Sequence, residues 1–302
     1  MAPDILVAGA LHLDVVVTAP RLPRLDETLA GRSVAYPLGG KGGNQAVAAA
    51  RMGAAAAMAG RVGTDAFGAA LLDALDAAGV DRRQVERVSG DSGMSVAIVT
   101  DGGAYGAVTV SGVNAAIDPA RIELPAGLKV LLLQNEIPEA ANLALAARAR
   151  AAGIRVILNA APMRPTAPDL IALADLLVVN RIEAADLSGV PAEGLDPGSA
   201  ARALVAAGAG AAIVTLGAQG LVACDGGAPF ALAAPPVTPV SSHGAGDAFI
   251  GALAAELSRG APLRAALGFA QAAAALTVAA APAERAAVTA AAARALCDRA
   301  AG

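Results

Sequence analysis

The stretch Val130-Leu-Leu-Leu-Gln-Asn-Glu-Ile-Pro-Glu-Ala-Ala-Asn-Leu-Ala-Leu-Ala-Ala-Arg-Ala-Arg-Ala-Ala-Gly-Ile-Arg-Val-Ile-Leu158 decides the fold class. It opens with the apolar run 130–133, continues through an Ala-rich segment of helical length at 141–152 that ends in Gly153, and closes with the apolar run 156–158. Glycine just past a helix accepts the left-handed backbone that terminates it. Short runs with no polar alternation are strands covered on both faces. Strand, helix and strand in succession form the unit of a parallel sheet. Working outward, similar runs lie at 5–8, 96–99, 176–179 and 212–216, and the Ala-rich segment 46–52 before Gly53 repeats the helical pattern. The chain therefore reads as an α/β fold, a mainly parallel sheet with helices on both faces.

Two segments break the alternation. Residues 12–38 and 92–112 carry strand-like and turn-rich sequence with no helix between, and Asp101-Gly-Gly103 is a hairpin signal between 94–100 and 107–110. Together they predict a small antiparallel flap within one domain spanning 1–302. With 302 residues, the chain can bury a large core. It is 56% hydrophobic but 2% aromatic with no Trp, a composition of small side chains that lets helices sit close to a sheet. The mean hydropathy of +0.58 raises the question of a membrane span. The uncharged run 265–283 is mostly Ala with a Gln and a Thr, too weakly lipophilic to span, and reads as a buried helix. Asp4 and the lack of Lys or Arg before the first apolar run are the wrong charge order for a secretory signal, so a cytoplasmic protein is expected. Cys224 and Cys297 make neither a disulfide framework nor a metal-ligand spacing. A net charge of −4 without basic clusters argues against nucleic acid and for small molecules as partners.

The chain has no G-x-x-x-x-G-K-[ST] and no G-x-G-x-x-G after its first strand, which removes the usual signatures of P-loop nucleotidases and dinucleotide oxidoreductases. Two other Gly-rich stretches remain. Gly39-Gly-Lys-Gly-Gly-Asn-Gln45 opens a helix; its glycines let a ligand approach the backbone while Lys41 and Asn44 supply donors. Ser241-Ser-His-Gly-Ala-Gly-Asp247 precedes the apolar helix 248–257. Backbone N–H groups of Gly244, Ala245 and Gly246 at a helix start suit an anion, and Asp247 beside them can take a proton from an attacking hydroxyl. Taken singly, the first stretch also reads as a flexible turn and Asp247 as a carboxylate offsetting the helix dipole.

In this order the two stretches resemble the signature regions of the ribokinase-like (phosphofructokinase-B type) carbohydrate kinases. The resemblance extends through Gly9-Ala-Leu-His-Leu-Asp14, Gln134-Asn-Glu-Ile-Pro138, Leu158-Asn-Ala-Ala-Pro162, Val179-Asn-Arg-Ile-Glu-Ala184 and Thr215-Leu-Gly-Ala-Gln-Gly220. It implies a doubly wound sheet with the site along the carboxyl ends of its strands, and a β lid, matching the flap, closing over a sugar. It implies Mg²⁺- and ATP-dependent phosphorylation of a primary hydroxyl, with D-ribose to D-ribose 5-phosphate the first expectation. Deoxyribose, a ketohexose or a nucleoside is the alternative acceptor, and a catalytically impaired sugar- or nucleotide-binding protein the alternative class. By this resemblance His12, Asp14, Gly39, Gly40, Lys41, Asn44 and Glu136 hold the sugar, Asp247 is the base, and Gly244, Ala245 and Gly246 form the anion hole. Thr215, Gly217, Gly220, Gln271, Gly246 and Asn180 contact the nucleotide, and Asn180 with Glu183 organises Mg²⁺ through water. Without the resemblance, Asn180 and Glu183 read as a helix cap and a first-turn acid. A homodimer through an apolar outer face of the lid, at Val15, Val17, Val96 and Ile98, is also implied.

The chain departs from the family pattern at four places. Ser241 stands where the family usually has an Asp that helps hold an activating monovalent cation, and the segment 279–285 lacks the Gly and Ser that complete that site. Activity insensitive to K⁺ is therefore expected. His12 stands where an Asn typically contacts the sugar, either as a bulkier, titratable contact or as a hinge residue facing solvent. His243, beside the anion hole, is either an extra phosphate contact or a packed ring.

Overall fold

In a computed structural model the chain is described over residues 2–102, 104–190 and 194–301. In chain order it forms β1 (Ile5–Ala8), β2 (His12–Ala19), β3 (Ser33–Ala35), β4 (Leu38–Gly39), α1 (Lys41–Arg51), β5 (Ala56–Gly63), α2 (Ala66–Ala77), β6 (Asp81–Val88), β7 (Gly93–Thr100) and β8 (Tyr105–Val110). There follow β9 (Val130–Gln134), α3 (Glu139–Ala151), β10 (Arg155–Asn159), α4 (Pro168–Leu173), β11 (Leu176–Asn180), α5 (Arg181–Ser188), α6 (Pro197–Ala206) and β12 (Ala212–Thr215). The chain ends with β13 (Leu221–Cys224), β14 (Phe230–Leu232), α7 (Ala245–Ser258), α8 (Leu263–Ala279) and α9 (Ala290–Ala301).

Among the described residues the main sheet has nine strands in the order β14-β13-β12-β11-β10-β9-β1-β5-β6. It is parallel from β12 through β6, with β13 and β14 antiparallel at one edge. Strand alternation sorts the core into two layers. Ile5, Val7, Leu132, Ile157, Val178 and Ile213 face one set of helices, and Leu6, Ala8, Leu131, Leu133, Leu158 and Leu177 face the other. Burying each of the fully enclosed Leu131, Leu132 and Leu133 is worth about 2 kcal/mol. The chain moves outward from β1 to β5 and β6, then returns to the other side of β1 with β9. The topological switch point thus lies between β1 and β9, where ligands bind in such sheets.

Five of the six apolar runs are main-sheet strands, whereas 96–99 lies in β7 of the second sheet and is only partly buried. Four main-sheet strands escaped the sequence reading: β5, next to β1, the edge strand β6, and the antiparallel pair β13 and β14. β5 is built of Ala and Gly around Met58, and the polar β6 is an edge strand with Val85 as its buried side chain. The weakly lipophilic run 265–283 is largely α8, packed against α7, and among the described residues no helix is long and apolar enough to cross a membrane.

The second sheet has the order β3-β2-β7-β8, with β4 added on β2. It is not wholly antiparallel: β2 and β7 pair in parallel, His12 opposite Gly93 through Ala19 opposite Thr100. Both strands leave the same end of the main sheet, β2 after β1 and β7 after β6, so they run outward together. The hairpin from β7 to β8 is antiparallel; Gly103 of its turn lies outside the described residues. Two clamps hold the bases of the outgoing strands. Asn114 pairs with Leu11 as a strand would, accepting its N–H at 3.0 Å and donating to its carbonyl at 2.8 Å. Asp65, the N-cap of α2, accepts the backbone N–H and hydroxyl of Ser92 at 2.8 and 2.6 Å.

Candidate active site

Gly40 begins the floor of the site. Its φ of 79° is left-handed, and a Cβ there would stand 2.6 Å from the Ala10 carbonyl oxygen. Gly42 is equally hemmed in, with a Cβ 2.7 Å from the same oxygen. These glycines let α1 start directly against the chain leaving β1. The adjacent loop after β9 supplies Glu136, whose Oε2 accepts the Lys41 N–H at 2.6 Å. Burial lifts the Glu136 carboxyl to about 7, opposed by the Lys41 hydrogen bond and charge and reinforced by Asp247 and Asp14. Asp14 sits on β2 opposite Ser95, whose hydroxyl donates to it at 2.6 Å, and a Cβ on Gly39 would overlap its carboxylate at 2.2 Å.

The opposite wall is the start of α7. Gly244, the N-cap, has φ 73°. The Ala245 N–H donates to Ser242 at 3.3 Å, which engages one amide of the expected anion hole within the turn. The amides of Gly246 and Asp247 make no such bond among the described residues and belong to the orphan donors of a helix start. Asp247 lies in the first turn of α7, half-buried. Asn44 donates to its Oδ2 at 3.2 Å and Gln45 to its Oδ1 at 2.9 Å. Burial raises the Asp247 carboxyl above its ordinary range, while Lys41, Gln45, Asn44 and His243 pull it down. Gln45 is fully buried and also donates to Asn159 Oδ1 at 3.1 Å, tying the carboxylate to the end of β10.

This convergence depends on close helix packing. A Cβ on Gly251, one turn after Asp247, would lie 2.5 Å from the Ala48 Cβ and 2.7 Å from the Ala49 nitrogen. Glycine there lets α7 touch α1, which brings Asn44 and Gln45 to Asp247.

His12 does not face solvent. It is 3% exposed, burial lowers its pKa so that the imidazole is neutral near pH 7, and its Nε2 has no hydrogen-bond partner among the described residues. His243 is exposed, not a packed ring. On the other side of the crevice, Asn180 and Thr215 are register partners on β11 and β12. Asn180 caps α5, its Oδ1 accepting the N–H groups of Ile182 and Glu183 at 2.8 and 2.9 Å, while Glu183 Oε2 accepts the Asn180 N–H at 2.7 Å. The helix-cap reading is thus realised in full. Glu183 nonetheless keeps a second carboxylate oxygen, is 5% exposed, and is raised by burial against the Asn180 hydrogen bond and the Lys41 charge. Among the described residues no cluster of three or more His, Cys, Asp or Glu could enclose a metal. One buried acid with a free oxygen fits a hydrated divalent cation held through water.

Thr215 donates its hydroxyl to Val179 at 3.2 Å. Gly217 and Gly220 both have positive φ, and a Cβ at Gly220 would lie 2.0 Å from the Leu232 oxygen. Gln271 of α8 donates to Ala233 at 3.2 Å on the same side, its Oε1 left without a partner among the described residues. The structure therefore gathers the sequence-derived residues into two groups, one around Asp247 and one around Thr215. The sequence reading missed Gln45, Asn159, Ser95 and Asn114. Gln45 and Asn159 had a signal, standing in the quoted stretches 39–45 and 158–162.

This arrangement agrees with the comparisons. Residues 2–288 match the family model described as pfkB family carbohydrate kinase. A ribokinase of Bacillus subtilis (strain 168) is 38% identical over 279 residues, 91% of this chain and 92% of that one. A deoxyribokinase of Salmonella typhi is 31% identical over 258 residues, 83% of this chain and 84% of that one. The structure of Arabidopsis thaliana ribokinase complexed with ribose and ATP superposes with a TM-score of 0.89 at 29% identity, covering 98% of this chain and 99% of that chain. With both Gly-rich walls in place across the switch point and a match over nearly its whole length, the chain belongs to the pfkB family of carbohydrate kinases.

Proposed function

We propose that the protein transfers the γ-phosphoryl group of ATP to the primary hydroxyl of D-ribose, giving D-ribose 5-phosphate and ADP. The observation that carries this is the pairing of Asp247 with Asn44 and Gln45 beside the free amides of a 14-residue helix. In this reading residues 1–302 form one kinase domain, and segments 12–38 and 92–112 form its lid. Asp14 and Glu136 accept sugar hydroxyls, while Lys41, Asn44 and the backbone at Gly39 and Gly40 orient the ring. The neutral imidazole of His12 reaches the sugar from the lid base.

Asp247 takes the proton of the primary hydroxyl as its oxygen bonds to the γ-phosphorus, and the bond to the β-phosphate oxygen breaks with its electrons leaving on ADP. The amides of Gly244, Ala245 and Gly246 meet the transferred group, with Ala245 first released from Ser242. Thr215, Gly217, Gly220, Gln271 and Asn180 border the nucleotide. Glu183, with Asn180, would hold hydrated Mg²⁺, which when bound neutralises phosphate charge.

The face of the second sheet opposite Asp14 carries Val15, Val17, Val96 and Ile98 in paired register, and Val96, Val108 and Val34 are 38%, 68% and 49% exposed. A second copy covering this face makes a homodimer; sedimentation as a monomer at micromolar concentration would count against it. ADP release across a panel of sugars and nucleosides tests the acceptor. Ribose is expected to give the highest kcat/KM, deoxyribose in first place would reassign the acceptor, and no acceptor-dependent release would leave a binding protein.

A further inference from the structure

Arg285 stands beside the site with no role in the reading above. It lies on the 3₁₀ turn Pro282–Ala287 and donates through Nη2 to the Ser241 carbonyl at 3.3 Å. Its Nη1 lies 3.6 Å from where a Cβ on Gly244 would stand, so the guanidinium runs alongside the N-cap of α7. Arg285 makes no ion pair among the described residues, and its Nε is buried without a partner. Burial and the nearby positive charge of Arg51 both lower its pKa, yet a guanidinium stays protonated. An unpaired, partly desolvated cation next to a helix N-terminus is unfavourable until an anion arrives.

The same atoms disagree with a soluble monovalent cation. Ser241 has no carboxylate, its carbonyl oxygen faces the guanidinium, and the neighbouring Val278 carbonyl already accepts the N–H groups of Val240 and Ser241 at 2.9 and 3.1 Å. A K⁺ ion there would meet engaged oxygens and a like charge.

We infer that Arg285 is the built-in cation of this active site, holding the 244–246 turn and attracting the γ-phosphate of ATP in place of a soluble monovalent ion. This rests on the phosphoryl-transfer reading of that turn. The guanidinium holds the chain at the Ser241 carbonyl beside the turn, so Arg285 is a positioning residue and its charge acts through the amides of that turn.

The test measures binding as well as turnover. Affinities for Mg·ADP and for a Mg-bound non-hydrolysable ATP analogue are determined calorimetrically for the wild type, Arg285→Lys and Arg285→Ala, with tetramethylammonium or K⁺ as the only monovalent cation. Arg285→Ala is expected to lose about tenfold or more in analogue affinity, the scale of one charged hydrogen bond, and much less in ADP affinity. K⁺ or free guanidinium should restore part of that loss and of kcat, while the wild type stays indifferent to K⁺ and Arg285→Lys keeps most of both. Equal losses for ADP and the analogue, an Arg285→Ala enzyme matching the wild type, or a wild type that needs K⁺ would each overturn the inference. If Arg285→Ala does not fold, Arg285→Lys and the wild-type K⁺ response decide alone. A wild type that releases no ADP with any acceptor would remove the proposed function, yet the split between analogue and ADP would still report on Arg285.

Discussion

Gln45 joins Asp247 to Asn159, its single amide nitrogen donating to both side chains across the α1–α7 contact at 2.9 and 3.1 Å. The hydrogen bond to Asp247 favours the ionised carboxylate, the form a base must have, against a burial that disfavours it. Gln45→Leu keeps the volume and removes the donor. The expected result is a roughly 10- to 100-fold lower kcat, with the acid limb of the pH–rate profile moved to higher pH because the carboxylate has lost a partner. An unmoved limb would show that Gln45 only packs.

Gly251→Ala places a methyl group against Ala48 and Ala49. It should cost about 1–3 kcal/mol of stability and lower kcat, since separating α7 from α1 withdraws Asn44 and Gln45 from Asp247. Denaturant unfolding and steady-state kinetics check the two effects together. Lost stability with full kcat would mean that the site does not depend on this contact.

Glu136 gives a pH signature. Unfolded, it ionises near 4.5; folded, burial keeps its proton up to about 7. Between those values the folded state binds more proton, so the contribution to stability is present below about 4.5 and is lost as pH rises toward 7. The ligand-free protein should therefore melt at a lower temperature at pH 8 than at pH 5. In Glu136→Gln that difference should shrink by a few degrees. Parallel behaviour of the two proteins would rule out this origin.

Much of this molecule was legible in the sequence because its central strands are buried on both faces and so read as unbroken apolar runs, as in 5–8 and 130–133. β5 was not, since Ala and Gly fill a strand where Gly60 passes close to the Gly9 carbonyl, and β6 was not, since an edge strand can be polar. The parallel pairing of β2 with β7 follows from where each leaves the main sheet, a tertiary fact that no local pattern carries. In the site, Gly-rich turns marked Lys41 and Asp247 by their own chemistry. Gln45 and Arg285 gain their roles from neighbours 202 and 44 residues away, through a helix contact and a loop return.

The most direct measurement is ribose-dependent ADP release by Asp247→Asn, paired with ribose affinity by calorimetry. Removing the base while keeping its shape should lower turnover by about 10²- to 10⁴-fold and leave ribose affinity within about threefold, a free-energy change under about 1 kcal/mol. Turnover by Asp247→Asn close to that of the wild type would contradict the assignment of Asp247 as the group that accepts the sugar's proton.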